Sequence, residues 1–278
     1  MEHHEEAPSL KECLHLLATN RPLLMLFLGN IFFVIIKVSE QASFYFAYDA
    51  LFNAKYNGFL DIAKAPGSFL AGIFVPIIIE RLGRKADSKK FYQACCVMGI
   101  VLNGLFALCT YNGIMNKGAG QSVSLLTGLM VIVFSAVVTF PLEFKNLMQK
   151  EMEAETVDYV EWKTGKRVEG TMLSIMSFTG KLEGTLSSFI CLQVLARTGY
   201  VEHTTDVSTL QNHSTLLGLF LMTTVFPMVG YALMLIPMHF YNITGDSHRR
   251  MIKDIMARRA QAGEAAAQEA VAAETKEG

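Results

Sequence analysis

Six apolar stretches alternate with short polar segments along the chain, at about residues 22–48, 57–80, 91–111, 122–147, 169–197 and 214–241. Each exceeds the ~20 residues needed to cross ~30 Å of hydrocarbon at about 1.5 Å per residue. A soluble helix this long and this apolar has no polar face left to show water. The pattern predicts an all-α membrane protein of six transmembrane helices in one bundle (22–241). A polar N-terminal segment (1–21) precedes it and a tail (242–278) follows.

The cations are sorted along this pattern. Of the 24 Lys and Arg residues, eighteen fall in the termini and the two segments 81–90 and 145–168, and three (Lys55, Lys117, Arg197) fall on the opposite side. By the positive-inside rule both termini are expected to be cytoplasmic. Within the tail, Met251, Ile252, Ile255 and Met256 recur at helical spacing among Arg249, Arg250, Lys253, Arg258 and Arg259. That suits a helix on the inner leaflet or a solvated charged helix. The Ala/Glu-rich remainder, 260–278, has no core-forming residues and is expected to be partly disordered.

Composition narrows the function classes. Hydrophobic residues make up 51% of the chain and charged residues 18%, with a formal net charge of −1. No global basic field therefore points to nucleic acid. The five cysteines form no CxxC pair and no ligand spacing with histidine, so neither a disulfide framework nor a zinc site is expected. No nucleophile elbow, P-loop or dinucleotide fingerprint points to an enzyme. Asn212-His-Ser and Asn242-Ile-Thr match glycosylation sequons, a pattern short enough to arise by chance.

The chemistry therefore lies with ionisable residues inside the apolar stretches. Lys37 and Glu40 stand one helical turn apart and can neutralise one another, with Ser39, Gln41 and Tyr45 extending the polar stripe. Asp61 and Lys64 repeat the arrangement, and Pro66-Gly67 marks a bend. Either pair is structural or functional on this pattern alone. Ser177, Gly180, Lys181 and Gly184 fall at i, i+3, i+4 and i+7, a single helical stripe. A lysine at a helix centre costs about 2.5–3.5 kcal/mol on insertion scales, so Lys181 should face a bundle interior or a water-filled cavity unless it snorkels. Gly180 and Gly184 read as a close-packing pair.

The run Asp158-Tyr159-Val160-Glu161-Trp162-Lys163-Thr164-Gly165-Lys166-Arg167, followed by Glu169-Gly170 and then Lys181, resembles the loop before the eleventh helix of the glycoside–pentoside–hexuronide:cation symporters. These are the melibiose-permease relatives within the major facilitator superfamily. Ser9-Leu10-Lys11 with Asn20-Arg21-Pro22 is similar to the segment leading into their seventh helix. Glu80-Arg81-Leu82-Gly83-Arg84-Lys85 resembles their short basic turn between the eighth and ninth helices. Three landmarks in family order imply a C-terminal six-helix bundle of a major-facilitator fold in the cytoplasmic (inner) membrane. The half that carries most of the coupling-cation (Na⁺ or H⁺) carboxylates has no counterpart here.

The resemblance implies that Lys181 balances charge at a central cavity and that Ser177 meets a sugar hydroxyl. Gly180, Lys37, Glu40 and Gln41 are expected on the same lining. Asp158, Glu161, Lys163, Lys166 and Arg167, with Arg84, are expected at a cytoplasmic gate; an ordinary solvated loop is the competing explanation. Met176-Ser177 replaces the Gln-Thr of many relatives, and Glu183 has no place in the resemblance. Two functions follow. One is the C-terminal half of a cation-coupled sugar symporter, working with a partner six-helix bundle or a second copy by alternating access. The other is a non-transporting remnant or a membrane interaction subunit.

Overall fold

A computed structural model describes residues 9–53, 55–82, 87–116, 121–165, 168–202 and 210–277. Among these there are eight α-helices and no strand: α1 (Leu10–Thr19), α2 (Arg21–Tyr45), α3 (Lys55–Leu82), α4 (Ser88–Met115), α5 (Leu125–Thr164), α6 (Glu169–Thr198), α7 (His213–Phe240) and α8 (Gly245–Glu277). One π-turn, Phe46–Ala50, continues α2. Four segments are long and apolar enough to cross a membrane: Arg21–Ala50, Ser88–Met115, Leu125–Thr164 and His213–Phe240. α3 and α6 match them in length, at 28 and 30 residues. Lys181, Glu183 and a run of Ser, Thr and Gly make α6 the more polar.

Local chemistry starts and stops these helices. A capping box joins Ser9 and Glu12 at the start of α1. The side chains of Asn20, Ser124 and Asn212 accept the first free backbone N–H groups of α2, α5 and α7. α5 ends at Gly165 in the left-handed region (φ 71°), which glycine adopts without strain.

Around the bundle the order of packed neighbours is α3, α5, α4, α7, α2, α6, so α3 and α6 stand at the two ends of the series. The core has two main apolar clusters. One gathers Phe46, Leu51, Phe106, Ile114, Val131, Leu219 and Met222. The other gathers Phe33, Tyr92, Cys96, Met148, Met152, Tyr231 and Met234. Backbones approach closely at Gly67, where a Cβ would stand 2.9 Å from the Ala136 carbonyl oxygen. That contact fixes α3 against α5.

Two segments are drawn differently here from the outline the apolar pattern gives, for related reasons. The segment expected as a loop after residue 147 is helix: α5 runs on through its charged residues to Thr164. Glu, Lys, Met and Ala are good helix formers, and Gly165 supplies the first stop. Likewise α8 continues helically through the Ala/Glu-rich tail to Glu277. Part of its apolar face packs on protein: Met251 and Ile255 are buried, Met251 in the cluster that Tyr159 and Trp162 border, while Met256 stays exposed.

Candidate functional site

The polar groups inside the bundle form two layers. The first is an internal network below Phe33. Lys145 is fully buried, its Nζ 3.7 Å from the Phe33 ring centroid. It donates to Gln149 Oε1 at 3.1 Å, and Gln149 Nε2 donates to Asn30 Oδ1 at 2.7 Å and to Glu153 Oε1 at 3.0 Å. The three α5 residues sit four apart, so one helical face carries ammonium, amide and carboxylate in sequence. The amide bridges opposite charges where an unsolvated ammonium is costly. Lys145 is therefore an internal group and not one of the loop cations among which its position in the sequence counts it.

Lys37 lies beside this network. Its Nζ is 5.6 Å from the same Phe33 ring and 3.2 Å from Glu183 Oε2, across the α2–α6 interface and near the middle of both helices. The pairing expected within α2, Lys37 with Glu40, is thus replaced by a pairing between helices. Glu183 is on the buried face of α6 with Met172, Ile175, Thr179 and Ser187, so it reaches Lys37 directly. Glu40, one turn further along α2, is exposed. Glu183, which the resemblance left without a place, supplies the ion pair across the α2–α6 interface, beside the packing of Leu23 on Met172 and Ile175.

The second layer is a cavity of about 530 Å³ between α2, α3 and α5, reaching Phe106 of α4 and Thr223 of α7. Glu40, Asp61, Lys64 and Glu143 line it, with Ser39, Ser43, Asn57, Ser68, Ser135 and Thr139. Asp61 and Lys64 pair as their spacing predicts, Nζ to Oδ1 at 3.1 Å. Ser68 Oγ donates to Glu143 Oε1 at 3.4 Å, linking α3 to α5. Three carboxylates, one amine and many hydroxyls can hydrogen-bond a polyhydroxylated molecule from several sides. Glu143 was missed in the sequence, although an acid two residues past Pro141 in an apolar stretch is itself a signal.

Of the residues expected to line a crevice between two bundles, Glu40 also lines this cavity within the bundle. Gln41, Ser177, Gly180 and Lys181 are exposed on the bundle surface, on α2 and α6. Lys181 has no ion-pair partner among the described residues, and a Cβ on Gly180 or Gly184 would meet nothing within 4 Å. Among the described residues the fully buried ammonium is that of Lys145, while Lys181 stands on the bundle surface. The close packing that Gly180 and Gly184 predict is not made among the described residues.

At the opposite end from Tyr200, the α5 extension holds α8. His248 Nε2 lies 2.9 Å from Asp158 Oδ2, Trp162 Nε1 donates to Asp254 Oδ2 at 3.0 Å, and Arg259 Nε donates to Glu161 Oε1 at 3.0 Å. Arg258 donates to the Trp162 carbonyl at 2.7 Å. The hydrogen bond to Asp158 holds His248 protonated above the ordinary histidine range, against the opposing effect of burial. Asp158 and Glu161, expected at a gate, thus meet the chain's own tail. Lys163 lies 5.9 Å from the Tyr159 ring centroid and forms no ion pair among the described residues. Arg84, Lys166 and Arg167 lie outside the described residues.

A bundle of bilayer-length helices with charged and hydroxylated groups at mid-span is a multi-pass membrane protein of the transporter type. The family model described as MFS/sugar transport protein matches residues 2–245, and the chain belongs to that family. Similar proteins include the "Uncharacterized symporter YjmB" of Bacillus subtilis (strain 168), 25% identical over 253 residues, covering 90% of this chain and 50% of that protein. "Uncharacterized symporter YnaJ" of the same strain is 26% identical over 240 residues, covering 85% and 46%. The "Glucuronide carrier protein homolog" of Escherichia coli (strain K12) is 24% identical over 250 residues, covering 89% and 50%. The chain spans about half the length of these relatives.

Proposed function

We propose that this chain forms the C-terminal half of a cation-coupled sugar symporter in the cytoplasmic membrane, with both termini in the cytoplasm. Six spans, α2 to α7, face a partner bundle across a central crevice. Glycosides, including uronides of the kind named in one relative, bind in the crevice. The observation that carries this is the surface stripe of Ser177, Gly180 and Lys181 beside Gln41 and Glu40, exposed at mid-span. Left against acyl chains, an unpaired Lys181 costs about 2.5–3.5 kcal/mol. A second six-helix bundle, or another copy, supplies polar cover and closes on Gly180 and Gly184.

Within this function Glu40, Asp61, Lys64 and Glu143 meet substrate hydroxyls, Lys181 and Ser177 meet the partner or the sugar, and Lys37 with Glu183 keeps α2 and α6 together. The coupling Na⁺ or H⁺ is held mainly by the partner bundle. Lys163, Lys166, Arg167 and Arg84 face that bundle at the cytoplasmic mouth, while Asp158 and Glu161 anchor the tail. The test is uptake of labelled glucosides and glucuronides by cells expressing this chain alone or with the N-terminal half of a full-length relative. Gradient-dependent uptake is expected only with both halves. If the paired halves move no sugar, the chain is a non-transporting membrane subunit.

A further inference from the structure

A groove of about 670 Å³ runs between the end of α2 and α6, lined by Phe44, Tyr45, Tyr48, Leu192, Tyr200 and Glu202. Phe44 also lines the mid-span cavity that holds Glu40 and Asp61, so a single ring forms part of the wall of both spaces. We propose that this groove is a second sugar subsite, in which Phe44 and Tyr48 form a platform for the apolar face of a pyranoside ring on its way to the cavity. The proposal rests on the transport function above for the direction of movement, though not for binding itself.

The aromatic geometry is specific. The Phe44 and Tyr48 rings are nearly parallel, 21° apart with centroids at 5.9 Å, and they stay 56% and 39% exposed. Tyr45 stands edge-on to Phe44 and to Tyr200, at 5.8 and 5.4 Å, and so ties the platform to the far wall of the groove. The π-turn then buries Phe46, Ala47 and Asp49 while leaving Tyr48 outside. An aromatic face is electron-rich and attracts the weakly positive axial C–H groups of a pyranose, the same electrostatics that orient aromatic pairs. The exposed Glu202 supplies a carboxylate acceptor for hydroxyls at the rim. Rings of an interfacial aromatic belt face lipid headgroups. Phe44 instead borders a cavity rich in carboxylates and hydroxyls, which fits a polyol with one apolar face.

Saturation-transfer NMR on the full chain in lipid nanodiscs tests this without a partner bundle. The probes are methyl β-glucoside, methyl β-glucuronide and, as an acyclic polyol, glycerol. Wild-type protein is expected to transfer saturation to one face of both pyranoside rings and not to glycerol. Phe44→Leu with Tyr48→Leu, which keeps apolar area but removes both π faces, abolishes the transfer; Phe44→Trp retains it. Should the double variant fail to fold, Tyr48→Leu alone, at a half-exposed position, carries the same comparison. In the two-half uptake assay the leucine variants raise KM for the pyranosides by about tenfold, the factor that ~1.4 kcal/mol of lost stacking gives. No transfer to the wild type, or transfer unchanged by leucine, overturns the subsite and assigns the groove to lipid or to a helix of the partner. Transfer that depends on the rings in a protein that moves no sugar leaves the subsite standing and removes only the transport function.

Discussion

Two exposed faces of one bundle differ in what they can be next to. α4 presents Val97, Val101, Leu105 and Leu108, all more than 40% exposed. α2 and α6 present Glu40, Gln41, Ser177 and Lys181 at the same depth in the bundle. Acyl chains solvate the first face as well as any protein does, whereas the second needs water or polar neighbours. Helix length does not separate them, and mean apolarity sets apart α6 but not α2, which is as apolar a span as α4. What separates both from α4 is where the few polar side chains stand around each helix, and the proposed function takes that side as the one a second body approaches.

Exchanging the character of the two faces tests this most severely. Leu105→Lys should cost about 2.5–3.5 kcal/mol, enough to deplete the folded chain from the membrane. Lys181→Leu should do the reverse to the isolated chain, raising its folded yield, while lowering uptake when both halves are present. Expression and thermal unfolding in detergent read the first effect, and the uptake assay reads the second. Equal tolerance of lysine on both faces would dissolve the distinction.

A smaller effect is expected at the junction between the faces. Glu183→Gln leaves Lys37 without its carboxylate. Breaking a fully buried pair costs about 3–5 kcal/mol, and because the Lys37 side chain is 28% exposed the cost here should be nearer ~2 kcal/mol. Replacing both residues with leucine should restore most of that stability, since no charge is then left unpaired. A double variant as unstable as Glu183→Gln would mean that the pair is not what joins α6 to α2.

That pair shows how far the sequence was legible. The apolar runs outline α2 to α7 because chain length and hydrophobicity are local properties. The Lys37–Glu40 and Asp61–Lys64 spacings are local too, and in one case the local partner is the real one. Lys37 goes elsewhere because Glu183 comes to it from a helix about 150 residues away, and no periodicity encodes which helix faces which. Lys145 was hidden for another reason. It sits where an apolar stretch passes into a charged one, and only the continuation of α5 shows that its amine turns inward onto Phe33. The family resemblance singled out Lys181 and the 158–167 segment, yet of that segment it could not foresee that Asp158, Glu161 and Trp162 would grip α8.

The smallest effect expected belongs to that grip, at the end of the bundle where α8 packs on α5. The hydrogen bond to Asp158 raises the His248 pKa above 6.5. A group whose proton affinity is higher in the docked state favours docking below its undocked pKa, and that contribution disappears as pH rises through the docked value. Glu155 and Glu151 on α5 add to the effect, and burial opposes it. α8 should therefore hold more tightly near pH 6 than near pH 9, by at most the ~1 kcal/mol of a solvent-accessible ion pair. Trp162 is the only tryptophan and its indole bonds Asp254 of α8, so its emission reports docking without an added label. The emission should shift toward that of solvated indole, and the tail should become easier to cleave, as pH rises. His248→Ala should flatten both profiles at the high-pH level. If Trp162 in the wild type ignores pH over this range, the histidine does not govern the tail, and the Trp162–Asp254 and Arg259–Glu161 contacts hold it unaided.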